Sequence, residues 1–372
     1  MTSLAATTAT PRPGSDRALP HRLRAGHDDH PADVRLRVTA GDDVELAVHD
    51  YGDRCADRTV VFLHGLCLTG ASMSRQIEYL RRRCGDTLRV ISYDHRGHGA
   101  SDSAAIRSYT VEQLGADLAA ILSALDVAGA VTFVGHSMGG MAALAYLARH
   151  QAQRPIDPHG LVLIATAAGR LGQRGLGRLL DTPITAALFG AAGYTPERAA
   201  KALSRPLCAA LSRYYCLGHP QRTTLGAAAV AALATTPVTT AVGFLTALRR
   251  FNAYSTLASI CARTAILSGG ADLLTPPAHS RDLAAGIPHA TRVHLAHAGH
   301  MLPYEAPHVV NQAIARTISP PPARQPARHT VTPFASDDRQ PGPTAAPANT
   351  ATWHANRPRS QQDPFTAQGT AS

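Results

Sequence analysis

The amino-acid sequence predicts an α/β protein: a mostly parallel eight-stranded sheet with helices on both faces and a helical cap inserted late in the chain. Three observations carry this expectation. Short runs dense in β-branched and aliphatic residues alternate with stretches of helical period, the pattern of an open sheet with right-handed crossovers. Several runs, such as TVVFL at 59–63 and LVLIA at 161–165, are apolar throughout, as strands buried on both faces require. Almost a hundred residues then separate LVLIA from the next strand-like run, far more than one crossover helix needs.

The elements follow in order. Val34–Val38 and Val44–His49 flank Gly41-Asp42-Asp43 and read as a hairpin. Strand-like runs recur at Thr59–Leu63, Arg89–Tyr93, Val131–Val134, Leu161–Ala165, Thr264–Leu267 and Arg292–Leu295. Helical patterns fill the gaps at Ser72–Arg83, Val111–Leu125, Met138–His150, His279–Ala285 and Pro307–Thr317. In the second of these, Val111, Leu114, Leu118, Ile121, Leu122 and Leu125 recur every three or four residues and form one apolar face. The long gap is rich in Ala and Leu and reads as a cap, about residues 168–255, over the carboxyl ends of the strands. Residues 1–33 are rich in Pro, Arg, His and Thr, and residues 319–372 in Pro, Ala and Thr. Such compositions bury too little apolar surface to repay ordering, so both are expected to be disordered tails flanking a domain at 34–318.

Composition narrows the function classes. The chain has 372 residues, 45% hydrophobic and 17% charged, and no run of about 18 uninterrupted apolar residues that could span a bilayer. Its first residues lack a cationic start followed by an apolar run, so a cytoplasmic protein is expected. The six cysteines form no CxxC pair, which argues against a zinc site or a disulfide framework and for reduced, mostly buried thiols. The net charge of +10 is concentrated. Between Thr166 and Ser255 stand ten basic residues against Asp181 and Glu197, while the rest of the domain is neutral. This charge has no interleaved basic–aromatic pattern, so no nucleic-acid partner is expected. Beside it lie Leu176, Leu179, Leu180, Ile184, Leu188 and Phe189. Peripheral contact of the basic cap with anionic lipid is one expectation from this pairing. The plainer one is that these apolar residues pack the cap onto the core.

The strongest local signal is Gly135-His136-Ser137-Met138-Gly139-Gly140, set between the strand VTFV and a helix. A bare GxSxG is weak, but a sharp strand-to-helix turn presents the serine at the head of a helix. A serine hydroxyl needs a base, and the base an orienting acid. Asp272 sits in the loop leaving a late strand, and His300 follows the last one. Their rivals are Asp282, inside a helical pattern, and His297. After LVLIA, where another acid could stand, only Thr166 is found. Two backbone amides complete the set: Met138, after the serine, and Leu66, in the His64-Gly65-Leu66-Cys67 turn after TVVFL. His64 reads as a buttress of that turn.

Together with Asp94-His95-Arg96-Gly97-His98-Gly99-Ala100-Ser101-Asp102, these motifs make residues 34–318 resemble the α/β-hydrolase fold superfamily. They are most similar to its branch of serine-nucleophile esterases and monoacylglycerol lipases. The resemblance implies that the DHRGHGASD segment is structural and that Asp94 is not catalytic. It implies a serine hydrolase cleaving a carboxylic ester, a small ester or a monoacylglycerol-like lipid, through an acyl-enzyme without cofactor or metal. Catalysis would fall to Ser137, Asp272 and His300, with Leu66 and Met138 as the oxyanion hole. A carbon–carbon bond hydrolase or a perhydrolase would use the same triad. A noncatalytic binding protein on this fold is the alternative from another class.

Overall fold

The computed structural model describes residues 33–175, 178 and 236–319, and the backbone of Arg24–His27. Its strands are β1 (Arg24–His27), β2 (Val34–Thr39), β3 (Glu45–Tyr51), β4 (Arg58–Leu63), β5 (Arg89–Tyr93), β6 (Ala130–His136), β7 (Gly160–Ile164), β8 (Arg263–Gly269) and β9 (Thr291–Leu295). The helices are α1 (Ser74–Cys84), α2 (Val111–Ala124), α3 (Met138–Ala148), α4 (Val238–Arg250), α5 (Pro277–Gly286), α6 (Leu302–Glu305) and α7 (Pro307–Ile318). All eight expected strands are present in one sheet, ordered β1-β2-β3-β5-β4-β6-β7-β8-β9. The first three are antiparallel, β3 pairs antiparallel with β5, and every pairing from β5 to β9 is parallel.

The ninth strand corrects the reading of residues 1–33 as wholly disordered. Arg24–His27 pairs with β2, placing Arg24 opposite Arg37 and His27 opposite Val34. The physical reason is that β2 would otherwise be an edge, and its unpaired backbone groups accept a neighbouring segment whatever its side chains. Residues 1–23, 28–32 and 320–372 and the middle of the cap lie outside the described residues. So do Leu176, Leu179, Leu180, Ile184, Leu188 and Phe189, and with them the lipid-facing reading of the cap.

Alternation along β4 splits the core into two layers. Val60 and Phe62 pack on one face with Met73, Ile77, Leu80, Val310 and Ile314 of α1, α7 and their approaches. Val61 and Leu63 point to the other face, against Leu118, Leu122 and Leu144 of α2 and α3. All but one residue of α3 are buried, as befits a helix apolar all round. The helices that follow β4 and β6 thus lie on opposite faces. Where such neighbours diverge, a crevice opens beyond the carboxyl ends of the strands. Leu63 and His136 end those two strands.

Both ends of the inserted segment are described, and they meet. The Ala253 amide donates to the Ala168 carbonyl (2.7 Å), and Gly169 bridges Asn252. Beyond this seam α4 rests on the core. Its Thr240 hydroxyl bonds the Tyr109 hydroxyl (3.0 Å), and Phe244 packs on the rings of Tyr109 and His98.

Among the four described cysteines only Cys67 is buried, and Cys55 and Cys261 are exposed. This corrects the expectation of mostly buried thiols; both exposed ones lie in connections between strands, away from the core. Among the described residues no helix is long and apolar enough to cross a membrane.

Candidate active site

Ser137 occupies the single residue between β6 and α3, with φ 52° and ψ −119°. The turn is tight because its neighbours are glycines. A β-carbon on Gly139 would overlap the Leu63 carbonyl oxygen, and one on Gly135 would stand 2.5 Å from Gly140 Cα. Hydrogen bonds hold the serine in place: its amide donates to the Ile164 carbonyl (2.9 Å), and its carbonyl accepts the Thr166 hydroxyl (2.7 Å).

Ser137 Oγ lies 3.0 Å from His300 Nε2, and His300 Nδ1 lies 2.8 Å from Asp272 Oδ2. The structure therefore brings together three residues drawn from the ends of β6, β8 and β9. Two close approaches make this meeting feasible. Side chains on Gly269 or Gly270 would run into the carbonyls of Ala296, Ala298 and Gly299, so the loops bearing Asp272 and His300 pack back to back only because both positions are glycine.

Asp272 is almost fully buried and fully engaged. Its Oδ1 accepts the amides of Leu274 and Thr275 (2.9 Å each), and Oδ2 accepts the Thr275 hydroxyl (2.7 Å) as well as the imidazole. Burial works to raise its pKa, but the His300 charge and the hydrogen bonds from His300 and Thr275 outweigh it and bring it down to about 2. The carboxylate is thus ionised at any ordinary pH. The rival carboxylate, Asp282, is occupied elsewhere, accepting from Arg174 (2.8 Å) and the Tyr254 hydroxyl (2.7 Å). His297 is exposed.

The turn after β4 lies against the serine. A β-carbon on Gly65 would stand 3.3 Å from Ser137 Cβ. Leu66 and Cys67 are the central residues of a turn closed by the Leu68 amide on the Gly65 carbonyl (3.1 Å), with Cys67 left-handed at φ 55°. Met138 opens α3, so its amide has no carbonyl one turn earlier to bond. Buried imidazoles carry the turn from below. His64 Nδ1 donates to the Gly65 carbonyl (2.7 Å) while its Nε2 accepts the His95 amide (2.9 Å). His98 Nε2 accepts the Cys67 amide (3.1 Å). Burial lowers the pKa of His64 to about 4 and that of His98 to about 3, so both are neutral props. Asp94 accepts the amides of Gly70 and Ala100 (2.8 and 2.9 Å) and bonds none of Ser137, Asp272 and His300. Among the described residues no group of three or more His, Cys, Asp or Glu is arranged to hold a metal ion.

Sequence reasoning left two contributors unassigned. His136 Nε2 donates to the His300 carbonyl (2.9 Å), tying the elbow to the histidine loop across 164 positions. Burial lowers its pKa to about 3. Thr275 bonds the acid and stands 3.3 Å from His300 Nδ1. The Asp-x-x-Thr spacing was the available sign of Thr275, since such residues bond neighbouring backbone and side chains in tight turns. His136 carries no such local sign.

A family model described as alpha/beta hydrolase fold matches residues 58–307, from the start of β4 to the head of α7. A 3-oxoadipate enol-lactonase of Acinetobacter baylyi is 37% identical over 132 residues, 35% of this chain and 45% of that protein. A bifunctional esterase/perhydrolase of Acinetobacter calcoaceticus is 32% identical over 130 residues, 35% of this chain and 44% of its own. The alignment thus spans less than half of each of these relatives. A thermophilic esterase from Thermogutta terrifontis superimposes with a TM-score of 0.58 at 25% identity, over 76% of this chain and 97% of that one.

Proposed function

The chain belongs to the alpha/beta hydrolase fold family, and from that premise we propose that it is a serine hydrolase cleaving a carboxylic ester through an acyl-enzyme. The substrate would be a small ester or a monoacylglycerol-like lipid. The observation that carries this reading is the unbroken relay from Ser137 Oγ through His300 to Asp272, at 3.0 and 2.8 Å. In that relay Ser137 attacks the ester carbonyl carbon as His300 Nε2 takes the hydroxyl proton. Asp272, held ionised, keeps Nδ1 protonated and stabilises the imidazolium. The amides of Leu66 and Met138 receive the oxyanion. His300 then returns the proton to the departing alkoxide. A water molecule, deprotonated by the same nitrogen, adds to the acyl carbon, and as the bond to Ser137 Oγ breaks and the acid departs His300 returns the proton to that oxygen.

The test is Ser137→Ala assayed on p-nitrophenyl esters of graded chain length, beside labelling with a fluorophosphonate. Turnover is expected to fall on the order of a millionfold, with no labelling. More than a tenth of wild-type turnover in the purified variant would refute the mechanism.

Likeness to an esterase/perhydrolase favours a second reading. In it hydrogen peroxide replaces water at deacylation, and the acyl group leaves as a peracid. Adding peroxide to an ester assay and measuring peracid separates the two. Carbon–carbon bond cleavage by the same triad has no comparable support among these relatives.

A further inference from the structure

His300 stands outside every helix and strand, five residues beyond the end of β9 and two before α6. From this loop its imidazole must meet Ser137 and Asp272 at once. Side chains brace the loop on both sides of it. The Gly299 amide donates to one carboxylate oxygen of Glu305, and the Met301 amide donates to the other (2.8 Å). One carboxylate thus spans the histidine from the residue before it to the residue after it. The His300 carbonyl between them is taken by His136. Glycine at 299 lets the acid approach this closely, since a β-carbon there would stand 3.1 Å from Glu305 Oε1.

Glu305 is itself held. Its amide donates back to the Met301 carbonyl (2.9 Å). The short helix α6 is pinned by the fully buried Gln76, whose amide nitrogen donates to the Pro303 carbonyl (2.8 Å). Among the described residues Glu305 makes no salt bridge. Its charge is therefore directed at the two amides. Bonds of this charge-assisted kind are about twice as strong as neutral ones, and the two together fix both position and tilt of the intervening peptide.

We propose that Glu305 is a positioning residue for the reaction, setting the peptide that carries His300 so that both imidazole nitrogens reach their partners. The proposal rests on the serine-hydrolase reading above. Its physical basis is that a displacement of about 1 Å in a catalytic group costs on the order of a hundredfold in rate. Substrate binding is untouched by such a displacement, so the loss belongs to kcat.

The experiment compares wild type, Glu305→Gln, Glu305→Ala and Ser137→Ala on p-nitrophenyl acetate. Every kcat except that of Ser137→Ala, which has no nucleophile to titrate and sets the background per mole of protein, is divided by the number of sites titrated with a fluorophosphonate, so that unfolded protein is not counted. Glu305→Ala is expected to lose about a hundredfold in kcat, with KM within about twofold. Glu305→Gln keeps one acceptor and the side-chain volume, and should lie between the alanine variant and wild type. If the alanine variant does not yield soluble protein, the glutamine variant decides alone, with an expected loss of about tenfold. Retention of more than half the wild-type kcat per titrated site overturns the proposal, as does a rise in KM at constant kcat. A wild-type protein that the probe does not label overturns the hydrolase reading, and this one with it.

Discussion

At Ser137 a non-glycine residue is held at positive φ, a conformation that costs of order 1–3 kcal/mol and persists only where its surroundings over-determine it. Two hydrogen bonds and three close glycines provide that restraint here. The same density of contact distinguishes the two carboxylates. Asp272→Asn is expected to lower turnover by about 10⁴, because an amide in that place no longer enforces the tautomer that leaves Nε2 free to accept. Asp282→Asn should leave turnover nearly intact while weakening the partly exposed Arg174 pair, at about 1 kcal/mol or less. Steady-state kinetics and thermal melts of the two variants check this; equal kinetic damage from both would reverse the assignment of the acid. Ser137, Asp272 and His300 were legible in the sequence because each sits at a strand end in a short, glycine-marked turn. Glu305 and His136 were not. Their partners are main-chain groups of the histidine loop, 164 positions away for His136, and such bonds leave no residue pattern to read.

The strands and helices were legible to within a few residues, since buried parallel strands and amphipathic helices write their periods directly into the chain. The elbow between β6 and α3 offers a sharper test of why the glycines are there. Gly139→Ala drives a β-carbon into the backbone of Leu63, whereas Gly41→Ala meets nothing within 4 Å. Overpacking typically costs about 1–3 kcal/mol, and with rigid backbone as the obstacle Gly139→Ala belongs at or above the top of that range. Melting curves should place Gly139→Ala far below wild type and Gly41→Ala beside it. Similar midpoints for the two variants would mean that the elbow relaxes. What composition hid was β1, whose pairing depends on the edge it meets. Equally hidden was the way α4 reaches His98 through Phe244 and so touches the support of the Leu66 turn.

For the molecule as a whole, five imidazoles buried among the described residues set the response to acid. His64, His98, His136 and His279 have pKa values lowered by burial to about 4, 3, 3 and 4, and burial lowers that of His95 as well. Unfolded, each titrates near 6.5. Below that pH the unfolded chain binds protons that the native chain refuses, so stability falls as pH drops from 6.5 toward 4. At full slope each imidazole contributes about 1.4 kcal/mol per pH unit. Asp272, also depressed in the native state, adds its loss only between about 4 and 2. Melting midpoints should therefore hold above pH 7 and drop steeply by pH 4.5, with net proton uptake on unfolding. A flat midpoint between pH 6.5 and 4.5 would count against neutral burial of these rings. The seam between Ala168–Gly169 and Asn252–Ala253 has a consequence of a different kind. Because the two ends are clasped and α4 is packed on the core, a change of length between residues 179 and 235 enters as loop-closure entropy, which grows slowly, by about 0.6 kcal/mol for each doubling of length. Insertions and deletions there should thus carry little closure penalty for the strands, whereas exchange of α4 would lose the contacts of Thr240 and Phe244 with Tyr109 and His98.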